Sequence, residues 1–180
     1  MSVLLPSGIN TRPFRKATVI TDASFDPKTG ASGLAAWIKL DGGRSIKTGG
    51  VLKGAGNSTE AEILAAAYGV RLAAEAGASH ILLQSDCMAV MHVVWKTATP
   101  NRMTQMWRDM LEEPKVLGVF VQARHVKGHG RIHDARTWVN DWCDRTAYKY
   151  MEQERDRRNW GITSKKNRQG RSGTRGPEEK

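Results

Sequence analysis

Cysteine is scarce here, with two residues in 180, Cys87 and Cys143. Two cannot build a disulfide framework, and there is neither an N-terminal apolar h-region nor an apolar run of membrane length, so the expected setting is reducing and cytoplasmic, with no membrane partner. Acidic residues are also in the minority: 28 Lys and Arg against 18 Asp and Glu give a net charge of +10 and a pI near 9.9. Such a surface attracts polyanions, and nucleic acid is the first partner to consider. Hydrophobic residues make up 39% of the chain, enough for the core of one domain. Each cysteine adjoins an aspartate motif, and small thiols at element ends pack more often than they react. A zinc site from His129, His133 and Cys143 lacks an evident fourth ligand, and Gly128 and Gly130 argue against the helix that a His-x3-His pair needs.

Residues 1–15 lack periodicity and read as an N-terminal arm, residues 16–159 as the domain, and residues 160–180 as a flexible basic tail carrying Lys165, Lys166, Arg168, Arg171 and Arg175. Within the domain, the β-branched run at 17–22 predicts a strand ended by Asp26-Pro27-Lys28-Thr29-Gly30. Strands at 33–40 and 44–52 flank the hairpin signal Asp41-Gly42-Gly43. Asn57 caps a helix that stops at Gly77, with Glu60 placed for a capping box. A buried strand at 80–85, a helix from Asp86 through Trp95, a short helix at 103–112, a strand at 119–126 and a helix at about 137–159 complete the order βββαβααβα. Helical crossovers imply a five-stranded mixed sheet in an α/β fold flanked by helices, with ligands at the carboxyl ends of its parallel strands.

Carboxylates recur where that architecture would gather them: Thr21-Asp22-Ala23-Ser24, Ala61-Glu62, Ser85-Asp86, and Asn140-Asp141-Trp142-Cys143-Asp144. Several acids converging in a partly dry site need a compensating cation, and divalent metal with paired carboxylates is the equipment of phosphodiester chemistry. Glu60 and Glu62 cannot share a helix face two residues apart, so only one can turn toward such a site. Each acid has a structural alternative. Asp22 could serve a turn, Asp86 could cap the following helix, and Asp144 could be a solvated helix charge.

Taken together with Val126-Lys127-Gly128-His129, these motifs make the region from about residue 16 to 152 resemble the type 1 ribonuclease H family. The resemblance implies the RNase H-like fold and endonucleolytic cleavage of the RNA strand of an RNA–DNA hybrid with two Mg2+ ions, Mn2+ being an alternative. By position it implies that Asp22 bridges both metals, that Glu62 and Asp86 complete one site and Asp144 the other, and that His129 assists proton movement and product release. Hybrid contacts are expected from Ser24, Asn57, Ser58, Thr59 and Lys127, with Lys165, Lys166 and Arg168 adding phosphate affinity. The protein is expected to act as a monomer.

The chain also departs from the family pattern. The Gly/Asn-rich turn after the first aspartate is replaced by residues 25–30, the basic Trp-containing protrusion is reduced to residues 95–100, and the loop at 130–139, which carries His133, is long. A nuclease of the same fold acting on DNA junctions or double-stranded RNA is the runner-up, and a noncatalytic nucleic-acid-binding module the third reading.

Overall fold

A computed structural model describes residues 14–126 and 135–171, with side chains described as far as residue 160. The chain forms β1 (Lys16–Phe25), β2 (Ser32–Leu40), β3 (Ser45–Val51), α1 (Ser58–Glu75), β4 (His80–Ser85), α2 (Met88–Val94), α3 (Arg102–Glu112), β5 (Phe120–His125) and α4 (Ala135–Arg171). This is the expected order. The strands lie β3-β2-β1-β4-β5, antiparallel within the β1–β2–β3 meander and parallel from β1 through β4 to β5. The sheet is therefore the five-stranded mixed sheet read from the sequence.

Alternation along β1 divides the molecule. Val19 faces the larger core, where Ile38, Ile63, Val70, Leu83, Val90, Met91 and Trp107 are buried among α1, α2, α3 and the sheet. Each such side chain contributes about 1.5–3 kcal/mol on burial. Ile20 faces the other way, onto α4, with Ala35, Cys143 and Ala147. Two glycines allow the helices to come close. A Cβ at Gly69 would lie 2.6 Å from the Thr21 side chain, and one at Gly33 would lie 2.2 Å from the Ala147 carbonyl oxygen. Both α1 and α4 thus rest directly on the strands whose ends carry the acidic motifs.

Three boundaries differ from expectation. Strand β1 continues through Phe25 because its pairing with β2 persists from Asp22↔Ala35 to Phe25↔Ser32. Helix α2 begins at Met88, with Cys87 rather than Asp86 at the N-cap. Helix α4 runs on to Arg171, so Lys165, Lys166, Arg168 and Arg171 belong to a continuous helix, not to a flexible tail. No proline interrupts it, and Gly161 and Gly170 each cost only about 1 kcal/mol.

Candidate active site

Asp22 projects from β1, and its Oδ1 accepts the Ala23 amide at 2.8 Å; Glu62 Oε1, from the first turns of α1, accepts the same amide at 3.3 Å. One backbone N–H therefore joins the two carboxylates. Glu60 turns elsewhere: its Oε2 accepts the Gly56 amide at 2.9 Å and lies 3.8 Å from Arg102. The Asn57 side chain accepts the Glu60 amide at 2.9 Å, so the helix is capped as expected, but the reciprocal carboxylate bond reaches Gly56 rather than Asn57. Capping Asn57 and Glu60 together leave Glu62 as the helical acid at the site.

Asp86 is exposed immediately after β4, and the turn there is closed by Ser85, whose Oγ accepts the Cys87 amide at 3.0 Å. The capping alternative for Asp86 is thereby removed. Asp144 comes from α4, whose first half is anchored by aromatic packing. Trp37 meets Trp138 and Trp142 edge-on at 5.1 and 5.5 Å, and Lys47 lies 3.9 Å above the Trp37 ring. Cys143 is fully buried and its Sγ donates to the Ile20 carbonyl at 3.7 Å. Burial, with the Asp22 charge beside it, pushes the Cys143 thiol up to about 12, and burial raises Cys87 as well. Both cysteines pack, as the sequence suggests, and neither has a thiolate's reactivity.

Thr21, Asp22, Ser85, Asp86, Asn140, Cys143 and Asp144 line one small pocket of about 20 Å³, room for about one water-sized particle. Burial raises Asp22 to about 6, opposed by its hydrogen bonds and assisted by the charges of Asp144 and Asp86. Burial also raises Glu62, to about 9, reinforced by the charge of Asp22 and then of Asp86. Glu62 Oε2 and Thr21 Oγ1 are buried with no hydrogen-bond partner among the described residues. Among the described residues, none of the four carboxylates is paired with Lys or Arg. Nor do any three His, Cys, Asp or Glu side chains among them stand close enough to enclose an ion. Asp22 and Glu62 thus feel their acidic neighbours, yet the described side chains do not close into a cage. A hard divalent cation fits this all-oxygen set and supplies what the orphaned Glu62 oxygen lacks.

Asn140, Thr21 and Ser85 are pocket residues that reading the acids alone does not single out. Asn140 carried a usable signal, since it precedes Asp144 by one helical turn. The proposed hybrid contacts are dispersed. Ser24 is half-buried opposite Gly33, while Asn57, Ser58 and Thr59 are exposed at the start of α1. Asn57 and Thr59 border a separate cleft of about 700 Å³ shared with His92, Asn101 and Arg102. Lys127 and His129 lie outside the described residues, as does His133. Lys165, Lys166 and Arg168 are described as helix backbone only.

Residues 20–115, just over half of the chain, match the family model described as reverse transcriptase-like. The chain belongs to the reverse transcriptase-like family. The matched span contains Asp22, Glu62 and Asp86 and stops before Asp144. The sequence has no significant match among curated proteins. Solved structures similar to this family member share its RNase H-like fold. RNase H1 from the halophilic archaeon Halobacterium salinarum is 18% identical, with a TM-score of 0.60 over 77% of this chain and 98% of that one. The N-terminal RNase H domain of a Mycobacterium tuberculosis protein, solved as a fusion with maltose binding protein, is 14% identical, with a TM-score of 0.60 over 78% and 96%. LC11-RNase H1 in complex with an RNA/DNA hybrid is 11% identical, with a TM-score of 0.58 over 76% and 97%.

Proposed function

We propose that this family member is a metal-dependent endoribonuclease that cleaves the RNA strand of RNA–DNA hybrids. The observation that carries the reading is the pocket where Asp22, Asp86 and Asp144 meet, with the half-buried Glu62 beside it and one of its oxygens lacking any donor among the described residues. A binding module gains nothing from unpaired carboxylates where phosphate must approach. The hybrid-bound LC11 structure supports the choice of substrate.

Asp22, Glu62, Asp86 and Asp144 would hold the divalent metal. Bound metal supplies Lewis acidity at the scissile phosphate and lowers the pKa of an attacking water. The protein's own part is positioning. The Ala23 amide sets the spacing of Asp22 and Glu62, and Ser85 closes the turn that presents Asp86. The Asn140 amide and the Thr21 hydroxyl, both on the pocket wall, can orient a phosphate oxygen or water. His129 is assigned proton movement near the leaving oxygen. Ser24, Asn57, Ser58 and Thr59 are assigned contacts to the hybrid, where the 2′-hydroxyl distinguishes RNA from DNA. Lys127, Lys165, Lys166 and Arg168 are assigned backbone phosphates.

Incubation of matched RNA–DNA, RNA–RNA and DNA–DNA duplexes with the protein and Mg2+ or Mn2+ tests the reading. Cleavage of the RNA strand of the first duplex alone is expected. Preferential cleavage of another duplex would move the function to the nuclease alternative, and no cleavage of any would leave a binding module.

A further inference from the structure

The sheet is covered unequally. Helix α4 packs on β1, β2 and β3, and the same face continues across β4 and β5, where Phe120, Gln122 and Arg124 stay exposed and His80 and Leu82 half-exposed. Rings line one end of this open face. Phe14, 65% exposed, lies 4.4 Å from His80, which lies 5.8 Å from Phe120, itself 53% exposed. Cross-strand registers place Lys16, His80 and Phe120 in one row and Gln84 and Arg124 in another, so the side chains share a face. Lys16 Nζ sits 5.2 Å over the Phe14 ring. A cleft of about 500 Å³ follows β5, bordered by Leu82, Gln122 and Arg124 of this face and by Val94, Trp95, Val121 and His125 from the other side of the strand.

We propose that this open face binds single-stranded nucleic acid, with bases stacked on Phe14 and Phe120 and the backbone held by Lys16 and Arg124. The charge singles out the occupant. Among the described residues, Lys16, Lys39 and Arg124 are the cations of this face and its β1–β2 margin, and Asp41, which accepts the Lys16 amide at 2.9 Å, is the carboxylate beside them, so positive charge prevails between rings that a protein interior would normally cover. Exposed aromatics on a sheet, flanked by basic side chains and an amide such as Gln122, are what unpaired bases require: a π-face, a phosphate partner and an edge donor or acceptor. An apolar protein partner would be served by the rings and hindered by Lys16 and Arg124. The face lies apart from the cleft beside Asn57 and leads along β4 for about 20 Å toward Asp86. The proposal concerns binding and does not depend on cleavage.

Fluorescence anisotropy of end-labelled oligouridine and oligothymidine, with full-length protein in EDTA, tests it without turnover. Phe120→Leu should weaken binding roughly 5- to 100-fold, the loss of about one stacked base, while Phe120→Tyr keeps the ring and should bind as the parent does. Arg124→Gln should weaken binding and reduce the log–log salt slope by about 0.7. Arg71→Gln removes the same charge from α1, on the covered side of the sheet, and should leave affinity within about twofold. Equal binding by Phe120→Leu, Arg124→Gln and the parent would overturn the proposal. So would sedimentation showing a dimer that Phe120→Leu dissolves, because a second copy would then occupy the face.

Discussion

Replacing Glu62 with glutamine should make the metal-free protein more stable. Glu62 has an ordinary value of 4.5 and is raised to about 9 by burial and the neighbouring acids. Between those pH values the folded chain holds a proton that the unfolded chain has released, so stability falls as pH rises through the window. At pH 7 that proton costs about 1–3 kcal/mol, taken from about 1.4 kcal/mol per pH unit above the ordinary value and discounted for partial exposure. Glutamine keeps the shape and has no proton to take up. In EDTA at pH 7, Glu62→Gln should therefore melt roughly 3–10 °C higher than the parent, at about 2–4 °C per kcal/mol for a chain of this size. The gain should shrink as pH falls to about 4.5, where glutamate in the unfolded chain is half protonated, and vanish about one pH unit lower, where it is protonated in both states. Added Mg2+ should stabilise the parent and leave the variant nearly unchanged. A variant that melts at or below the parent at pH 7, or whose advantage persists undiminished at pH 4.5, would refute the reasoning.

Glu60→Gln should keep cleavage within a few-fold of the parent and, because the glutamine amide oxygen can still accept the Gly56 amide, change stability by less than about 1 kcal/mol, as read by activity and chemical denaturation side by side. A loss of cleavage on the scale of a metal-ligand deletion would mean the α1 register is misassigned. Glu154 is buried and accepts 2.7 Å bonds from Arg157 and a 2.8 Å bond from Arg158, which also donates to the Thr29 carbonyl at 2.7 Å. This clamp ties α4 to the β1–β2 turn, so Glu154→Gln should cost about 1–3 kcal/mol in a urea melt at pH 7. The two arginines hold Glu154 down at about 2. Its contribution should thus be complete above about pH 4.5 and fade as pH falls toward 2, and a parent–variant difference that stays constant across that range would contradict the assignment. His129→Ala should slow single-turnover cleavage by about 10²- to 10⁴-fold without abolishing it, whereas a larger defect in His133→Ala would move the role.

Much of this was legible because local chemistry and global fold agree. The β-branched run of β1, the glycines at the β2–β3 hairpin and Asn57 before α1 each specify an element from within a few residues. The choice of Glu62 over Glu60 was legible for the same reason, since two residues apart on a helix face opposite ways. What stayed hidden depends on partners distant in sequence. Strand β1 outruns its β-branched segment because β2 keeps pairing with it. Helix α4 is a different case, because beyond its buried stretch it is a polar helix without an apolar stripe and leaves no periodic signal to read. Asn140 was readable one turn before Asp144, but the packing of Trp138 and Trp142 on Trp37 that seats this part of α4 on β2 is announced by no local pattern.

The central claim is that the acidic pocket cleaves RNA in hybrids with bound metal. The most direct measurement compares the parent with Asp22→Asn on one end-labelled RNA–DNA hybrid, with Mg2+ present or chelated. The parent with Mg2+ should cut the RNA strand. Removing Mg2+, or placing asparagine at position 22 in a chain that still folds, should abolish the cut, because each takes away half of the same carboxylate–metal contact. Cleavage that survives chelation, or that Asp22→Asn performs at the parental rate, would contradict the account.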